Sequence, residues 1–90
     1  MDGFNKHKAE LMKDPEFRKE YEAIQGEYQA ILAIAKARAE TGLTQKELAE
    51  RSGLTQSNIS RIETGRSVPN VRTLQQLAQG FGKTLHIEFR

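Results

Sequence analysis

The 90-residue chain contains no cysteine and no tryptophan, and it has only two prolines. Without cysteine it can hold neither a disulfide framework nor a thiolate metal site, which fits a reducing compartment. No apolar run is long enough for a signal peptide or a membrane span. These absences predict a small cytoplasmic protein that has no contact with a membrane.

Groups of residues that carry out catalysis are also missing. His7 and His86 lie in unrelated segments, and there is no H-x-x-x-H pattern, glycine-rich phosphate loop or nucleophile elbow. The carboxylates stand beside bases, in patterns typical of helix surfaces. The sequence therefore predicts no enzyme activity, no cofactor and no metal site.

The formal net charge of +2 is unevenly distributed. Up to Tyr28 there are seven acids and five bases, a net of −2, and from Gln29 onward nine bases and five acids, a net of +4. An acidic front and a basic back favour two partners of opposite charge. Chance unevenness of solvated helix faces is the alternative explanation.

Residues 44–65 form a pattern of two short helices joined by a tight turn. Thr44 and Glu47 have the spacing of a capping box, Gly53 follows the first helix, and Thr55 is placed to cap the second. Isoleucines three residues apart predict a buried stripe on the second helix. Its outward face carries polar residues and no acid, which suits base edges in a DNA major groove. These residues are Gln56, Ser57, Asn58 and Arg61.

This segment resembles the helix-turn-helix of the phage-repressor (XRE) family. The matching residues are Gln45, Leu48, Ala49, Gly53, Thr55, Gln56, Ser57, Ile59, Ile62, Glu63 and Gly65. A helical hairpin without a ligand needs the small and apolar members of this set, but not the polar residues of the exposed face. The favoured interpretation is therefore DNA binding.

Each candidate DNA-binding residue has a chemical role. Gln56 and Ser57 begin the second helix and point deepest into the groove, where a glutamine amide bonds adenine. Arg61, one turn further on, reaches guanine or a phosphate. The other candidates for base or backbone contacts are Gln45, Thr55, Asn58, Arg66 and Ser67. The resemblance also implies an internal ion pair between Arg38 and Glu63.

The chain before the motif is predicted to be helical. Asp2 is placed to cap a short helix that ends near Met12, and Asp14-Pro15-Glu16 is a helix start. Apolar residues then recur at helical spacing: Phe17, Tyr21, Ile24, Tyr28, Ile31, Leu32, Ala35 and Ala39. Gly26 interrupts this stripe, and we expect a break or kink near residues 25–27.

After the motif, Asn70 is placed to cap a further helix that Gly80 and Gly82 close. Residues 83–90 then alternate between polar and apolar side chains, which predicts a half-buried strand. Because the chain offers no second strand, we expect this tail to form an antiparallel ribbon with a second copy. The dimer contacts are Leu85, Ile87 and Phe89. A frayed tail that only covers the core is the alternative.

The predicted fold class is all-α: a lambda-repressor-like helix-turn-helix bundle with an N-terminal helical extension and a short C-terminal β-strand. The extension covers residues 1–27, the DNA-binding domain residues 28–82, and the dimerisation strand residues 83–90. A twofold dimer presents two equal helices about one DNA turn apart, so we expect a palindromic double-stranded operator.

The front of the chain, including LMKDPEFRKEYE, resembles the HigA antitoxins, which carry a helical extension before the motif. The resemblance implies a basic HigB toxin of the RelE type, an mRNA interferase, as partner. The candidate partner-binding residues are Phe4, Leu11, Phe17, Tyr21 and Ile24. The competing interpretation is a stand-alone repressor whose extension only supports the fold; an adaptor without DNA binding is disfavoured by the intact polar face.

Overall fold

A computed structural model of the protein describes residues 10–90, and over that range the backbone forms four complete helices joined by short loops. They are α1 (Pro15–Thr41), α2 (Gln45–Ser52), α3 (Gln56–Glu63) and α4 (Val71–Phe81). Both α1 and α2 pack against α3 and α4. The predicted all-α class is confirmed for this range. The predicted helix from Asp2 to Met12 lies mostly outside the described residues, as does the candidate partner residue Phe4.

Each of the four helices begins at a side chain that caps its first turn. The cap oxygens accept a hydrogen bond from a backbone N–H two or three residues further on, at 2.8–3.1 Å. The caps are Asp14, Thr44, Thr55 and Asn70. All four helix starts are those that the sequence predicts, because capping depends on residues close together in the chain.

The core lies where the four helices meet. Its buried apolar side chains are Ile34, Leu48, Ile59, Ile62, Leu77 and Phe81. Full burial of a leucine or isoleucine side chain contributes about 1.5–3 kcal/mol. Because α3 places both of its isoleucines in this core, the core determines the orientation of α3, and the opposite face of that helix points to solvent.

The prediction that Gly80 helps to close α4 was wrong. Gly82 is the C-cap, with φ of 70°, whereas Gly80 lies inside the helix and is buried. A Cβ at Gly80 would lie 2.9 Å from Leu48 Cδ1 and 3.0 Å from Ser52 Cβ. Gly80 therefore permits the close crossing of α4 over α2, which the spacing of residues within one helix does not reveal.

The expected break near residues 25–27 is absent, since α1 runs through Gly26 as one helix of 27 residues. Glycine costs a helix interior only about 1 kcal/mol, and helix on both sides offsets that cost. At about 1.5 Å per residue the helix is about 40 Å long. It accounts for the longest dimension of the molecule, 46 Å.

The apolar stripe predicted on α1 does not face the core. The buried residue of α1 is Ile34, which the predicted stripe omits. Ile24, Tyr28 and Leu32 belong to the predicted stripe but are 62%, 55% and 49% exposed. At 100° per residue the members of the stripe lie roughly 60–160° around the helix from Ile34. Helix α1 thus has two apolar faces, and the fold of the single chain uses one of them.

The predicted strand at residues 83–90 is not formed, and no strand occurs anywhere in residues 10–90. A strand requires a neighbouring strand to complete its hydrogen-bond ladder, and this part of the single chain supplies none. The charged side chains of the tail nevertheless approach one another at a spacing of two residues. Glu88 lies 3.8 Å from His86 and 2.9 Å from Arg90, each two residues away.

Candidate nucleic-acid interface

The turn between α2 and α3 is held by local hydrogen bonds. Gly53 has φ of 77°, a left-handed conformation that glycine adopts without strain. The hydroxyl oxygen of the buried Ser52 accepts a hydrogen bond from the backbone N–H of Leu54 at 3.2 Å. Thr55 then begins α3 by accepting from the N–H of Asn58. The angle between the two helices therefore depends on short-range contacts as well as on the core.

The start of α2 is a complete capping box. Glu47 N–H donates to the Thr44 hydroxyl at 3.1 Å, and Thr44 N–H donates to the Glu47 carboxylate at 3.2 Å. The hydrogen bond from the Thr44 backbone, and after it the interaction with the Thr44 side chain, lowers the pKa of Glu47 below its ordinary value, whereas desolvation acts in the opposite direction. The pair predicted from the T-x-x-E spacing is confirmed.

The outward face of α3 is polar and contains no acid. Gln56, Ser57 and Arg61 are exposed, and Asn58 is half-buried beside the core. Residues four apart in a helix share a face, so Ser57 and Arg61 lie one above the other along the exposed side. The first turn contains no acidic residue. The N-terminus of the helix, with its positive dipole end, therefore points to solvent unopposed by a local carboxylate.

Glu63, the single acid of α3, is paired with an arginine of α1 and is mostly shielded from solvent. Arg38 Nη1 lies 2.7 Å from both Glu63 carboxylate oxygens, and Gln45 Nε2 donates to Glu63 Oε1 at 3.0 Å. Arg38 Nε also donates to the carbonyl of Leu43 at 3.1 Å. Glu63 and Arg38 are 19% and 29% exposed. The predicted internal ion pair is present, and it links α1, α2 and α3.

The loop after α3 positions further polar groups. Gly65 has φ of 76°, and the N–H groups of Arg66 and Ser67 both donate to the carbonyl of Arg61, at 2.8 and 3.2 Å. The Arg66 side chain is exposed just beyond the helix, whereas Ser67 is half-buried. Since these two N–H groups are occupied, the Arg66 side chain is the part of this loop best placed for a DNA phosphate.

The structure brings most predicted DNA-binding residues to one side of the motif. Thr55, Gln56, Ser57, Arg61 and Arg66 are exposed there. Gln45 is half-buried, and its side-chain amide donates a hydrogen bond to Glu63. A contact between Gln45 and a DNA phosphate would require this amide to bond both groups or to release Glu63. The contacts of all these residues with DNA stay predictions.

One residue of this face was missed. Thr64 is exposed and lies seven residues after Ser57, which places it on the same side of the helix. Its hydroxyl donates to the carbonyls of Ser60 and Arg61, at 2.9 and 3.2 Å. The i, i+7 spacing would have identified it in the sequence. Its oxygen still has lone pairs for a donor from the ligand.

Three of the candidate partner-binding residues, Phe17, Tyr21 and Ile24, lie along the front half of α1, and Leu11 precedes that helix. Leu11, Phe17 and Tyr21 are half-buried, and the rings of Phe17 and Tyr21 stack with centroids 6.2 Å apart. Ile24 is exposed and continues the row. We call the row formed by Phe17, Tyr21, Ile24, Tyr28 and Leu32 the α1 stripe. Tyr28 and Leu32 were not among the predicted partner residues, although the same four-residue spacing includes them.

The candidate dimer residues differ in exposure. Leu85 is half-buried, Ile87 is 54% exposed and Phe89 is fully exposed.

In residues 10–90 no group of three or more histidines, cysteines, aspartates and glutamates is arranged to hold a metal ion. None of the helices in that range combines the length and apolar character needed to cross a bilayer.

Comparison with known proteins places this arrangement in a family. A helix-turn-helix family model matches residues 34–87, more than half of the chain. The HTH-type transcriptional regulator y4dJ of Sinorhizobium fredii is 48% identical over 55 residues, which cover 61% of this chain and 70% of that protein. A regulator of Methanothermobacter thermautotrophicus is 44% identical over 55 residues, covering 61% of this chain and 78% of that protein.

Longer proteins share the same segment. The regulator PuuR of Escherichia coli is 42% identical over 52 residues, which are 58% of this chain but 28% of that protein. No solved structure gives a significant match. The resemblance drawn from residues 44–65 is confirmed at the level of the family. The chain belongs to the helix-turn-helix family.

Proposed function

We propose that the protein is a transcriptional repressor that binds a palindromic double-stranded operator as a homodimer. The observation that carries this proposal is the exposed polar face of α3, because the first turn of this helix contains no acid and its single acid, Glu63, is bound by Arg38. A surface needed only for folding has no reason to exclude acids from an exposed helix face. The names of the matched relatives, HTH-type transcriptional regulators, support the same function.

Base contacts and phosphate contacts are separable by experiment. Against an operator selected from a random duplex library, Gln56→Ala should reduce specific affinity by about 1–3 kcal/mol and leave random DNA unaffected. Arg66→Ala should weaken binding to all sequences and reduce the salt slope by about 1 per protomer. Gln79→Ala, at an exposed glutamine of α4, is the matched control. If both test variants act alike on operator and random DNA, the assigned roles are wrong.

We further propose that the protein is an antitoxin whose α1 stripe binds a basic HigB/RelE-type toxin. The stripe is a row of large side chains of which Ile24, Tyr28 and Leu32 are exposed, a form that suits a helix lying in a partner's groove. Glu16, Glu20 and Glu27 follow one edge of it, since steps of four and seven residues stay on one side of a helix. An apolar row with an acidic edge is complementary to a basic partner.

Co-expression with the product of a neighbouring RelE-like gene tests the antitoxin proposal. The wild-type chain should restore growth and co-purify with the toxin. Tyr28→Asp should abolish co-purification while operator binding persists, because Tyr28 lies outside the core and outside α3. Lys19→Asp puts an acid on the opposite side of α1 and should have no effect. A complex that survives Tyr28→Asp and Ile24→Asp together would contradict the proposal.

A stand-alone regulator is the second candidate, since the relatives named above carry regulator names. In that case the neighbouring gene would not encode a small basic RelE-like protein, and no growth rescue would be seen. Operator binding is expected in both cases, so the co-expression result distinguishes the two without affecting the DNA-binding proposal.

A further inference from the structure

The tail lies beside an apolar groove that the single chain leaves open. The groove has a volume of about 550 Å³ and runs between the middle of α1, helix α4 and the tail. Small side chains form its α1 wall, Ala30, Ala33 and Ala37, and Leu77 and Phe81 lie on the α4 side. The tail lines the same groove over residues 83–87, and its apolar side chains there are Leu85 and Ile87. The tail is therefore one wall of an unfilled apolar cleft.

The tail is anchored at its start and unpaired afterwards. Lys83 Nζ donates to Glu40 Oε2 at 2.9 Å, and Lys83 N–H donates to the Ala78 carbonyl at 2.8 Å. From residue 84 onward the backbone makes no hydrogen bond to other backbone groups in residues 10–90. Phe89, the largest apolar side chain of the tail, is fully exposed. The backbone N–H and C=O groups of the tail are thus available to pair with another strand, and the ring of Phe89 is not buried.

We infer that the tails of two copies pair as an antiparallel ribbon centred on Ile87, and that Phe89 of each copy fills the groove of the other. This inference rests on the proposed homodimer and specifies its register and its contacts. In this register Ile87 faces its own equivalent, and Leu85 faces the partner's Phe89. Because residues directly opposite each other lie on one face of a ribbon, every apolar side chain meets an apolar one.

Charge selects the same register. Centring on Ile87 places His86 of one copy opposite Glu88 of the other, twice by symmetry. Centring on Glu88 would oppose two carboxylates, and centring on His86 would place Lys83 against Phe89. Registers centred between residues pair apolar with polar side chains throughout. Of the registers compared, the one centred on Ile87 matches both the apolar and the polar face of the tail.

The ribbon also brings the aromatic ring to the groove. Leu85 and Ile87 already line the groove of their own chain. The partner's Phe89, opposite Leu85 on the same ribbon face, lies over that groove, and the twofold axis repeats the contact at the other end. Both grooves are thus covered by one ribbon, and both fully exposed phenylalanines become buried.

Single cysteines test the register, since the chain has none of its own. In the proposed ribbon the two copies of residue 87 have Cα atoms about 4.5–5.5 Å apart, within the range of a disulfide. Ile87→Cys should therefore oxidise to a covalent dimer. The two copies of residue 86 lie roughly 8 Å apart, too far for a disulfide, so His86→Cys alone should stay uncrosslinked. A mixture of His86→Cys and Glu88→Cys chains should crosslink. Crosslinking of His86→Cys in preference to Ile87→Cys would overturn the register.

A single tryptophan tests the occupant of the groove, since the chain lacks tryptophan. Phe89→Trp emission should shift to shorter wavelength as the mass measured in solution rises from monomer to dimer, and the additional change Ala33→Glu should abolish the shift. Glu88→Trp, on the other face of the tail, should show no shift. An exposed Phe89→Trp in a dimeric sample overturns the groove contact, as does a chain that stays monomeric at every concentration.

Binding to a half-site duplex separates this inference from the proposed function. Half-site binding uses α3 and not the tail, so it should persist in Ala33→Glu. Retained half-site binding together with a failed crosslink rejects the ribbon alone. If the wild-type chain shows no half-site binding, the DNA-binding proposal alone is rejected.

Discussion

At the scale of single residues, Glu63 is the acid whose position most affects the charge of the recognition surface. It belongs to α3, yet its carboxylate is bound by Arg38 and Gln45 on the core side of the helix. A free carboxylate there would repel phosphates across a short distance. The same contact also ties three helices together, so stability and electrostatics depend on one pair of side chains.

Removing Arg38 should therefore affect both properties. Arg38→Ala leaves Glu63 half-buried without its main partner, and we expect a loss of about 1.5–3 kcal/mol in the free energy of unfolding. A double-mutant cycle with Glu63→Gln, measured by urea unfolding, tests the coupling of the pair. The free energies of unfolding lost in the two single variants should sum to more than the free energy lost in the double variant. Lys36→Ala, on the exposed side of the same helix, is the control. Strictly additive losses would show that the pair does not couple.

Glu47 gives the capping box a pH dependence. Its pKa is lowered in the folded protein from an ordinary value of 4.5, so its contribution to stability is fully present above that value and is lost as the pH falls through the lowered pKa. The pKa of Glu40 is lowered in the same direction, chiefly by the hydrogen bond from Lys83. Comparison with a Glu47 variant isolates the effect of the capping box.

We expect Glu47→Ala to lower the urea midpoint at pH 7 and to lower it by less at an acidic pH, below the lowered pKa of the wild-type carboxyl. Glu50→Ala removes an exposed glutamate from the same helix and should not show this change with pH. A Glu47→Ala deficit of equal size at both pH values would mean that the charge of the carboxylate does not contribute.

At the scale of helices, the two interior glycines have opposite roles. A Cβ at Gly26 would meet nothing within 4 Å, whereas a Cβ at Gly80 would meet Leu48 and Ser52. The same substitution should therefore have opposite effects. Gly26→Ala should raise the free energy of unfolding by up to about 1 kcal/mol, and Gly80→Ala should lower it by about 1–3 kcal/mol through overpacking. Thermal unfolding of the two variants measures both. A destabilised Gly26→Ala chain would show that α1 needs flexibility at that point.

The helices also show which features the sequence could predict. Caps at Thr44, Thr55 and Asn70 depend on residues within one turn, so their patterns were sufficient. The side of α1 that meets the core depends on where α3 and α4 lie, so the regular apolar row gave no indication that Ile34, which lies outside it, is the buried residue. The tail failed as a strand for a similar reason, because its ladder requires a neighbouring strand, which residues 10–90 of a single chain do not supply.

At the scale of the whole molecule, α1 separates two surfaces of different charge. Its front half carries Glu16, Glu20, Glu22 and Glu27, and the helix-turn-helix lies beside its other half. The single buried residue of α1, Ile34, belongs to the half that contacts the domain. The front half of α1 therefore contributes no buried residue to the core.

Deleting residues 1–27 tests that arrangement. Since no described residue before Ile34 is buried, we expect the shortened chain to fold, with a change of less than about 1 kcal/mol in the free energy of unfolding. Removal of seven acids and five bases takes away a net charge of −2, so affinity for random DNA should rise at low salt and return to the full-length value as salt screens the charges. Urea unfolding and DNA titrations at two salt concentrations measure these effects, and co-purification with the toxin should be lost. An unfolded or strongly destabilised product would instead mean that the extension supports the core, as a stand-alone repressor requires.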